Sequence, residues 1–309
     1  MKILITGATG FIGHQLVNVL SHENELTILT RSPASAHQQL GAEHQYLANL
    51  TSVSDLNEFD AVINLAGEPI ANKRWSEKQK LLICQSRWDI TSRIAELIKA
   101  SDNPPNVLVS SSAVGIYGPQ GTQFIDESYT LVSLEEKTAT NFPLKVCSHW
   151  EKLALSAQSD NTRVCIIRIG LVLGLSGGAL AKMLLPFKLG LGGPIGTGQQ
   201  GMSWIHQEDQ INLILFLLRQ AKCQGVFNAT APYPVNNREF SKLLGQTLSR
   251  PAFIPMPAVI LQLLLGEMSE LLTQGQYVVP SRALEAGYRF KYPVLTQAFE
   301  ALLSQINHH

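Results

Sequence analysis

The sequence predicts an α/β protein: a doubly wound parallel sheet of the Rossmann type, followed by a smaller, mostly helical C-terminal cap. Three observations predict it. Short apolar runs alternate with helix-length amphipathic stretches over the first two thirds of the chain, the pattern of successive βα units. Several of those runs are continuous rather than alternating, as strands buried on both faces are. A glycine cluster, Thr6-Gly7-Ala8-Thr9-Gly10-Phe11-Ile12-Gly13, follows the first run and opens the first helix.

The predicted strands are 2–6, 26–30, 45–47, 61–64, 107–111, 163–169 and 226–229. The first helix covers residues 13–20, where Ile12, Leu16 and Leu20 share a face at i, i+4 spacing. A longer helix runs from about Ser76 to Lys99. From about Gly174 the texture changes. Six glycines crowd residues 190–201, prolines punctuate 251, 255, 257 and 280, and helix signals dominate after Asn236, including a leucine-rich segment over 258–272. The expected division is a Rossmann unit over 1–173 plus about 205–231, and a substrate-binding cap over 174–204 and 232–309. The 226–229 strand is expected to return to the main sheet. Leu261, Leu264, Leu265 and Leu272 read as core or dimer contacts, and a homodimer is compatible with that reading.

Composition sets limits on partners. The 309 residues carry 24 Lys+Arg against 24 Asp+Glu, and only 16% are charged. A balanced charge argues against a nucleic-acid coat or an anionic-membrane surface protein, since both rely on a basic field. No apolar stretch approaches the roughly 20 residues that span a bilayer. The four cysteines are widely scattered, with no spacing that reads as a metal or redox motif, and the histidines include no H-E-x-x-H arrangement. A reduced, cytoplasmic protein without a metal site is the simplest expectation.

The glycine cluster carries the strongest chemistry. Glycine lets the backbone turn tightly and approach a pyrophosphate, whose charge then rests on the helix N-terminus. The spacing is G-x-x-G-x-x-G, and its position between strand and helix makes the pattern informative. At the end of the second strand an acidic residue would bond the adenosine ribose, whereas an arginine suits a 2′-phosphate. The chain has Leu29-Thr30-Arg31-Ser32 there, which predicts NADP(H). The alternative for Arg31 is a solvated surface side chain.

These motifs, with Asn64-Leu65-Ala66-Gly67, Ser110-Ser111-Ser112 before Tyr117-Gly118, Arg168-Ile169-Gly170 and Ile205-His206-Gln207-Glu208-Asp209, resemble the extended short-chain dehydrogenase/reductase superfamily. More closely, the run from Asn64 to Trp75, Ser86-Arg87, Gly190-Leu191-Gly192-Gly193, Ser203-Trp204-Ile205-His206 and Gly266-Glu267-Met268 resemble its atypical "epimerase family protein" branch. The resemblance runs essentially end to end. It implies that Gly7, Thr9, Gly10, Phe11 and Ile12 cradle a pyrophosphate, with Gly13 completing the loop. It further implies that Thr30 and Arg31 meet the 2′-phosphate, that Asn49 and Leu50 lie near the adenine, and that Leu65, Ala66 and Gly67 line the cofactor ribose.

One departure matters. Active members of the superfamily carry Tyr-x-x-x-Lys followed four residues later by Glu, and the lysine's charge helps the tyrosine act as a base. Counting back from Glu151, the lysine position holds Cys147 and the tyrosine position Pro143. None of the seven tyrosines has a lysine four residues later. Lys145 falls on another helical face.

Ser112, at a strand end, is a candidate to hydrogen-bond a substrate oxygen, or else a strand-end cap. Tyr117 is a candidate acid, or else a packed ring. Arg87 could reach a cofactor or substrate phosphate, or form a helix-surface ion pair. Glu68 could face the nicotinamide or merely cap the next turn, and His206 reads as a buried, hydrogen-bonded histidine. The glycine-rich loop over 190–201 reads equally as a flap over the cleft or a turn between domains. Two functions follow: an NADP(H)-dependent oxidoreductase or epimerase-like enzyme acting on a small polar or nucleotide-linked substrate, or a cofactor-binding sensor or scaffold that has lost catalysis.

Overall fold

The computed structural model describes residues 1–131 and 141–304. Seven parallel strands form the central sheet: β1 (Lys2–Thr6), β2 (Glu25–Leu29), β3 (Gln45–Leu47), β4 (Ala61–Asn64), β5 (Val107–Ala113), β7 (Arg163–Ile169) and β11 (Gly225–Ala229). Their spatial order is β11-β7-β5-β4-β1-β2-β3. After β1 the chain winds outward through β2 and β3, then returns to the other flank of β1 as β4. That reversal makes the C-terminal ends of β1 and β4 the crevice of a doubly wound sheet.

Residues of one strand divide between two cores, as the period of two requires. Ile3 and Ile5 join Ile28, Ile63, Val109 and Ile167 beneath α1 (Phe11–Leu20) and its neighbour α6 (Gln207–Arg219). Leu4 joins Val62, Leu108 and Ile166 beneath α3 (Glu77–Ala100) and α4 (Phe142–Leu155). Both faces are covered, which is why these strands read as unbroken apolar runs. Ser76 caps α3 by accepting from the Gln79 amide, and Asn141 caps α4 by accepting from that of Leu144.

A third core is built from later segments. It packs α5 (Gly178–Lys188), α7 (Asn237–Thr247) and α11 (Leu295–Leu303) around Trp204, Phe240 and Phe299. Phe240 and Phe299 meet edge to face at 5.1 Å. Small strand pairs stitch this region to the sheet. β8 (Leu171–Leu173) pairs with β10 (Trp204–His206), β9 (Gly201–Met202) with β12 (Val235–Asn236), and β6 (Phe124–Ile125) with β13 (Tyr277–Val278).

Two expectations change here. The leucine-rich segment is not one helix: α8 (Ala258–Leu265) stops at Gly266, which takes φ 61°, and a 3₁₀ turn leads into α9 (Glu270–Thr273). Glycine adopts that left-handed conformation without the penalty a Cβ brings. Nor do its leucines form a core, since α8 buries no residue and Leu263 and Leu264 are 73% and 62% exposed. The glycines over 190–201 mainly permit close backbone approach. A Cβ on Gly193 would lie 2.0 Å from the Ile254 carbonyl oxygen, and the loop is tied to Met256 through the Gly196 amide. Ser281–Glu285 forms α10 and Pro33–Leu40 forms α2.

Candidate functional site

Four adjacent strands run in register, β1, β2 and β4 ending level while β5 continues three residues further. Leu29 pairs with Thr6, Thr6 with Asn64, and Asn64 with Ser110. One edge of the sheet is therefore lined by Thr30–Arg31, Gly7–Gly13 and Leu65–Gly67, which follow their strands, and by Ser111–Ser112 in the last residues of β5. Sequence reasoning named these segments separately, and the parallel register brings them together.

The glycine loop has no room for side chains. Gly7 sits at φ 70°, and a Cβ there would lie 2.5 Å from the Leu65 carbonyl oxygen. A Cβ on Gly13 would lie 2.2 Å from the Gly7 carbonyl oxygen. The Gly10 amide closes the turn on that same oxygen at 3.0 Å. Gly10 is also the N-cap of α1, and it offers no side chain to the first-turn amides. Those amides, with the helix dipole behind them, are suited to an anionic group. Thr9 and Gly10 are exposed. Phe11 has a second job, because its ring fills the space beside Gly174, Gly177 and Gly178.

Thr6 locks the two sides of the crevice together. Its hydroxyl donates to Asn64 Oδ1 at 2.7 Å and accepts from the Ala66 amide at 3.1 Å. Asn64 in turn donates to Thr91 Oγ1 at 2.8 Å, which also receives the indole N–H of Trp150 at 3.0 Å. This polar seam between β1, β4, α3 and α4 was not legible in the sequence, since its members are far apart in the chain.

Arg31 is exposed beyond β2, with the Thr30 amide held on the Leu47 carbonyl. Asn49 is exposed and its Oδ1 accepts from the Thr51 amide and hydroxyl. Leu50 turns its side chain into the core at 4% exposure, so at most its backbone faces the crevice.

Ser112 and Tyr117 lie in a buried network. The Glu151 carboxylate and Arg168 guanidinium form a bidentate pair, with both bonds at 2.9 Å. Ser112 Oγ donates to Glu151 Oε1 at 2.6 Å. Tyr117 Oη accepts from Arg168 at 2.9 Å and donates to Asn228 Oδ1 at 2.8 Å. The Asn228 amide reaches Glu127, which also receives the Arg282 amide. Burial pushes the Tyr117 hydroxyl above its ordinary value, against the pull of Arg168. Ser112 and Tyr117 are each 2% exposed. Sequence reasoning singled out both hydroxyls but missed their partners. Arg168 and Glu151 were each visible as motif residues, yet nothing local announces that they pair.

Pro143 and Cys147 occupy the first turns of α4. Pro143 faces Gly115, where a Cβ would come within 3.0 Å of the proline ring. Burial, with Glu151 adding to it, pushes the Cys147 thiol up to about 11. It is a neutral thiol at neutral pH.

Arg87 is a cation whose field reaches Cys147. Its Nη1 donates to the carbonyls of Glu68 and Ile83, both at 3.0 Å. Its plane covers the Trp150 ring at 5.2 Å, and its remaining edge lies on Gly67. It therefore does not form the surface ion pair weighed above. Glu68 is joined to α3 through its backbone, with its amide on Ser86 Oγ.

His206 is 3% exposed, and its Nδ1 accepts from the Glu208 amide to cap α6. Burial pushes its pKa down to about 4. Among the described residues no His/Cys/Asp/Glu cluster could hold a metal ion, and no helix is long and apolar enough to cross a membrane.

The comparisons agree with this geometry. A model of the NAD dependent epimerase/dehydratase family matches residues 3–230, and a domain of unknown function, DUF1731, matches residues 256–302. The chloroplastic epimerase family protein SDR39U1 homolog of Arabidopsis thaliana is 42% identical, the match covering 98% of this chain and 87% of that protein. The crystal structure of human epimerase family protein SDR39U1 (isoform2) with NADPH superposes with a TM-score of 0.89 at 35% identity, covering 98% of this chain and 99% of that one. UDP-glucuronic acid 4-epimerase from Bacillus cereus, in complex with UDP-glucuronic acid and NAD, shares the fold at a TM-score of 0.76 and 17% identity. The chain belongs to the NAD dependent epimerase/dehydratase family, in the branch of the epimerase family proteins.

Proposed function

We propose that the protein binds NADP(H) and acts as an oxidoreductase or epimerase-like enzyme on a small polar or nucleotide-linked substrate, without a Tyr/Lys pair. The observation that carries the reading is the glycine cradle. Gly7 and Gly13 leave no space for a Cβ, and the open first turn of α1 sits where a pyrophosphate would meet it. A dinucleotide laid along this edge has its 2′-phosphate near Arg31 and its nicotinamide half over the ends of β4 and β5. The human relative solved with NADPH supports the same choice of cofactor.

Bound NADPH or NADP⁺ would supply the hydride chemistry. The chain's own part is to bind the pyrophosphate on the α1 amides, to hold the ribose at Leu65–Gly67 and to exclude water with the third core. Ser112 is the hydroxyl placed at the strand end, and it keeps oxygen lone pairs beyond its bond to Glu151. Tyr117 has its proton committed to Asn228, so in this reading it holds Arg168 in place. The free, buried cysteines support a reducing compartment, and we place the protein in the cytoplasm.

A second reading, a cofactor-binding sensor or scaffold, is favoured by the placement of Pro143 and Cys147 where acid–base groups are expected, and by the burial of both candidate hydroxyls. Titrating the purified chain with NADPH and then offering carbonyls and nucleotide sugars separates the two. Oxidation of bound NADPH that Ser112→Ala abolishes supports the enzyme. Tight binding with no turnover on the whole panel supports the sensor, and no NADPH binding at all overturns both.

A further inference from the structure

We propose that Arg87 makes the site discriminate between the two redox states of its cofactor, favouring NADPH over NADP⁺. The inference rests on the NADP(H) reading above. It concerns the nicotinamide half, whereas that reading is carried by the pyrophosphate end.

The argument starts from position. Arg31 follows β2 and the glycine cradle follows β1, so the other half of a dinucleotide extends over β4 and β5. Gly67 follows β4 by three residues. A Cβ on Gly67 would lie 2.8 Å from Arg87 Cζ, 2.9 Å from Nη2 and 3.1 Å from Nε. The absence of that Cβ lets the guanidinium edge rest on the turn that leaves β4. Nη1 is held from behind by the carbonyls of Glu68 and Ile83, and Trp150 supports the plane. The group is thus fixed, with its Nε–Nη2 edge against Gly67, on the turn that leaves β4.

The charge is also uncompensated. Arg168, on the neighbouring strand, is neutralised by Glu151, while Arg87 has no ion-pair partner among the described residues. The thiols in its field, Cys84 and Cys147, are both raised by burial and carry no negative charge at neutral pH. Glu68 is the one carboxylate that acts on it, from beyond direct contact. Burial disfavours the charged form of Arg87, yet a guanidinium stays protonated in proteins.

A fixed, partly desolvated cation acts differently on the two cofactor states. The nicotinamide ring is positive in NADP⁺ and neutral in NADPH, while the rest of the dinucleotide is the same. Two positive charges about 10 Å apart at an effective dielectric near 20 repel enough to change a binding ratio by on the order of tenfold. The effect falls on NADP⁺ alone.

The test is the ratio of dissociation constants for NADP⁺ and NADPH, measured by calorimetry on the full-length chain. The wild type is expected to favour NADPH by about tenfold. Arg87→Gln should bring the ratio close to one, and Arg87→Lys, which keeps the charge, should retain most of the preference. 2′-Phospho-ADP-ribose lacks the nicotinamide, and wild type and Arg87→Gln should bind it alike. A wild-type ratio near one overturns the proposal without any variant. So does an unchanged ratio in Arg87→Gln, or an equal loss of all three ligands in that variant, which would make Arg87 a phosphate contact. If the wild type binds none of the three, the cofactor reading itself fails.

Discussion

Glu151 and Arg168 form a bidentate ion pair inside the protein, with side chains only 6% and 5% exposed. The pair sits between α4 and β7 and holds Ser112 and Tyr117 by their hydroxyls. A buried charge is tolerated when its partner and hydrogen bonds are present, and removing one partner strands the other. Glu151→Leu or Arg168→Met should therefore cost about 3–5 kcal/mol in denaturant unfolding. The double variant should recover much of that loss, because two apolar side chains leave no charge behind. Equal losses in single and double variants would show that the pair's packing, rather than its charge, stabilises this region.

The glycine cradle gives a sharper prediction. Gly7→Ala puts a methyl group 2.5 Å from the Leu65 oxygen at a left-handed φ, and Gly13→Ala puts one 2.2 Å from the Gly7 oxygen. Each should weaken NADPH binding by at least tenfold and lower the melting temperature. Gly118→Ala is the control. It too has a positive φ, 64°, but nothing within 4 Å, so it should lose some stability and leave cofactor affinity unchanged.

Arg31 is exposed, so its replacement should leave the fold intact. Arg31→Ala should raise the NADPH dissociation constant about tenfold or more, the usual weight of a charge-assisted contact, and leave NADH affinity as it was. Binding assays with both cofactors check it. Equal affinities for NADPH in variant and wild type would remove Arg31 from the 2′-phosphate site.

His206 sets a pH dependence. Its pKa is about 4 in the folded chain against 6.5 for the free side chain, so the unfolded state binds the proton first. Stability contributed by the neutral imidazole is complete well above pH 6.5 and falls as pH drops toward 4, by on the order of 3 kcal/mol. Burial is the main cause, with Glu208 and Lys291 acting in opposite directions. His206→Asn keeps an N-cap acceptor for the Glu208 amide and removes the titration. Its unfolding free energy should fall less steeply over that pH interval than that of the wild type.

What the sequence disclosed, and what it hid, follows from the range of the forces involved. Ile3, Leu4 and Ile5 announce a strand buried on both faces within five residues, and the Gly7–Gly13 spacing announces a turn that needs no distant partner. Arg87 is different. Its place depends on how α3 docks against α4, which brings Trp150 beneath it, and no local pattern encodes that. The Tyr117–Asn228 bond spans 111 residues, and Ser112 looked available because Glu151 lay 39 residues away. The leucine-rich stretch with helix signals over 258–272 is broken in two for a local reason. The apolar run outweighed Gly266, whose positive φ ends the first segment.

The position of Arg87 also bears on which side chains the site can accept. Cys147 lies within the electrostatic reach of that guanidinium, so a lysine introduced at 147 would bring a second buried cation against the first. A tyrosine at 143 would have to displace a proline already in contact with Gly115. A lysine at 147 is therefore opposed while Arg87 remains, and a tyrosine at 143 is opposed by the packing against Gly115. The site as built resists that pair at both positions, and for two separate physical reasons.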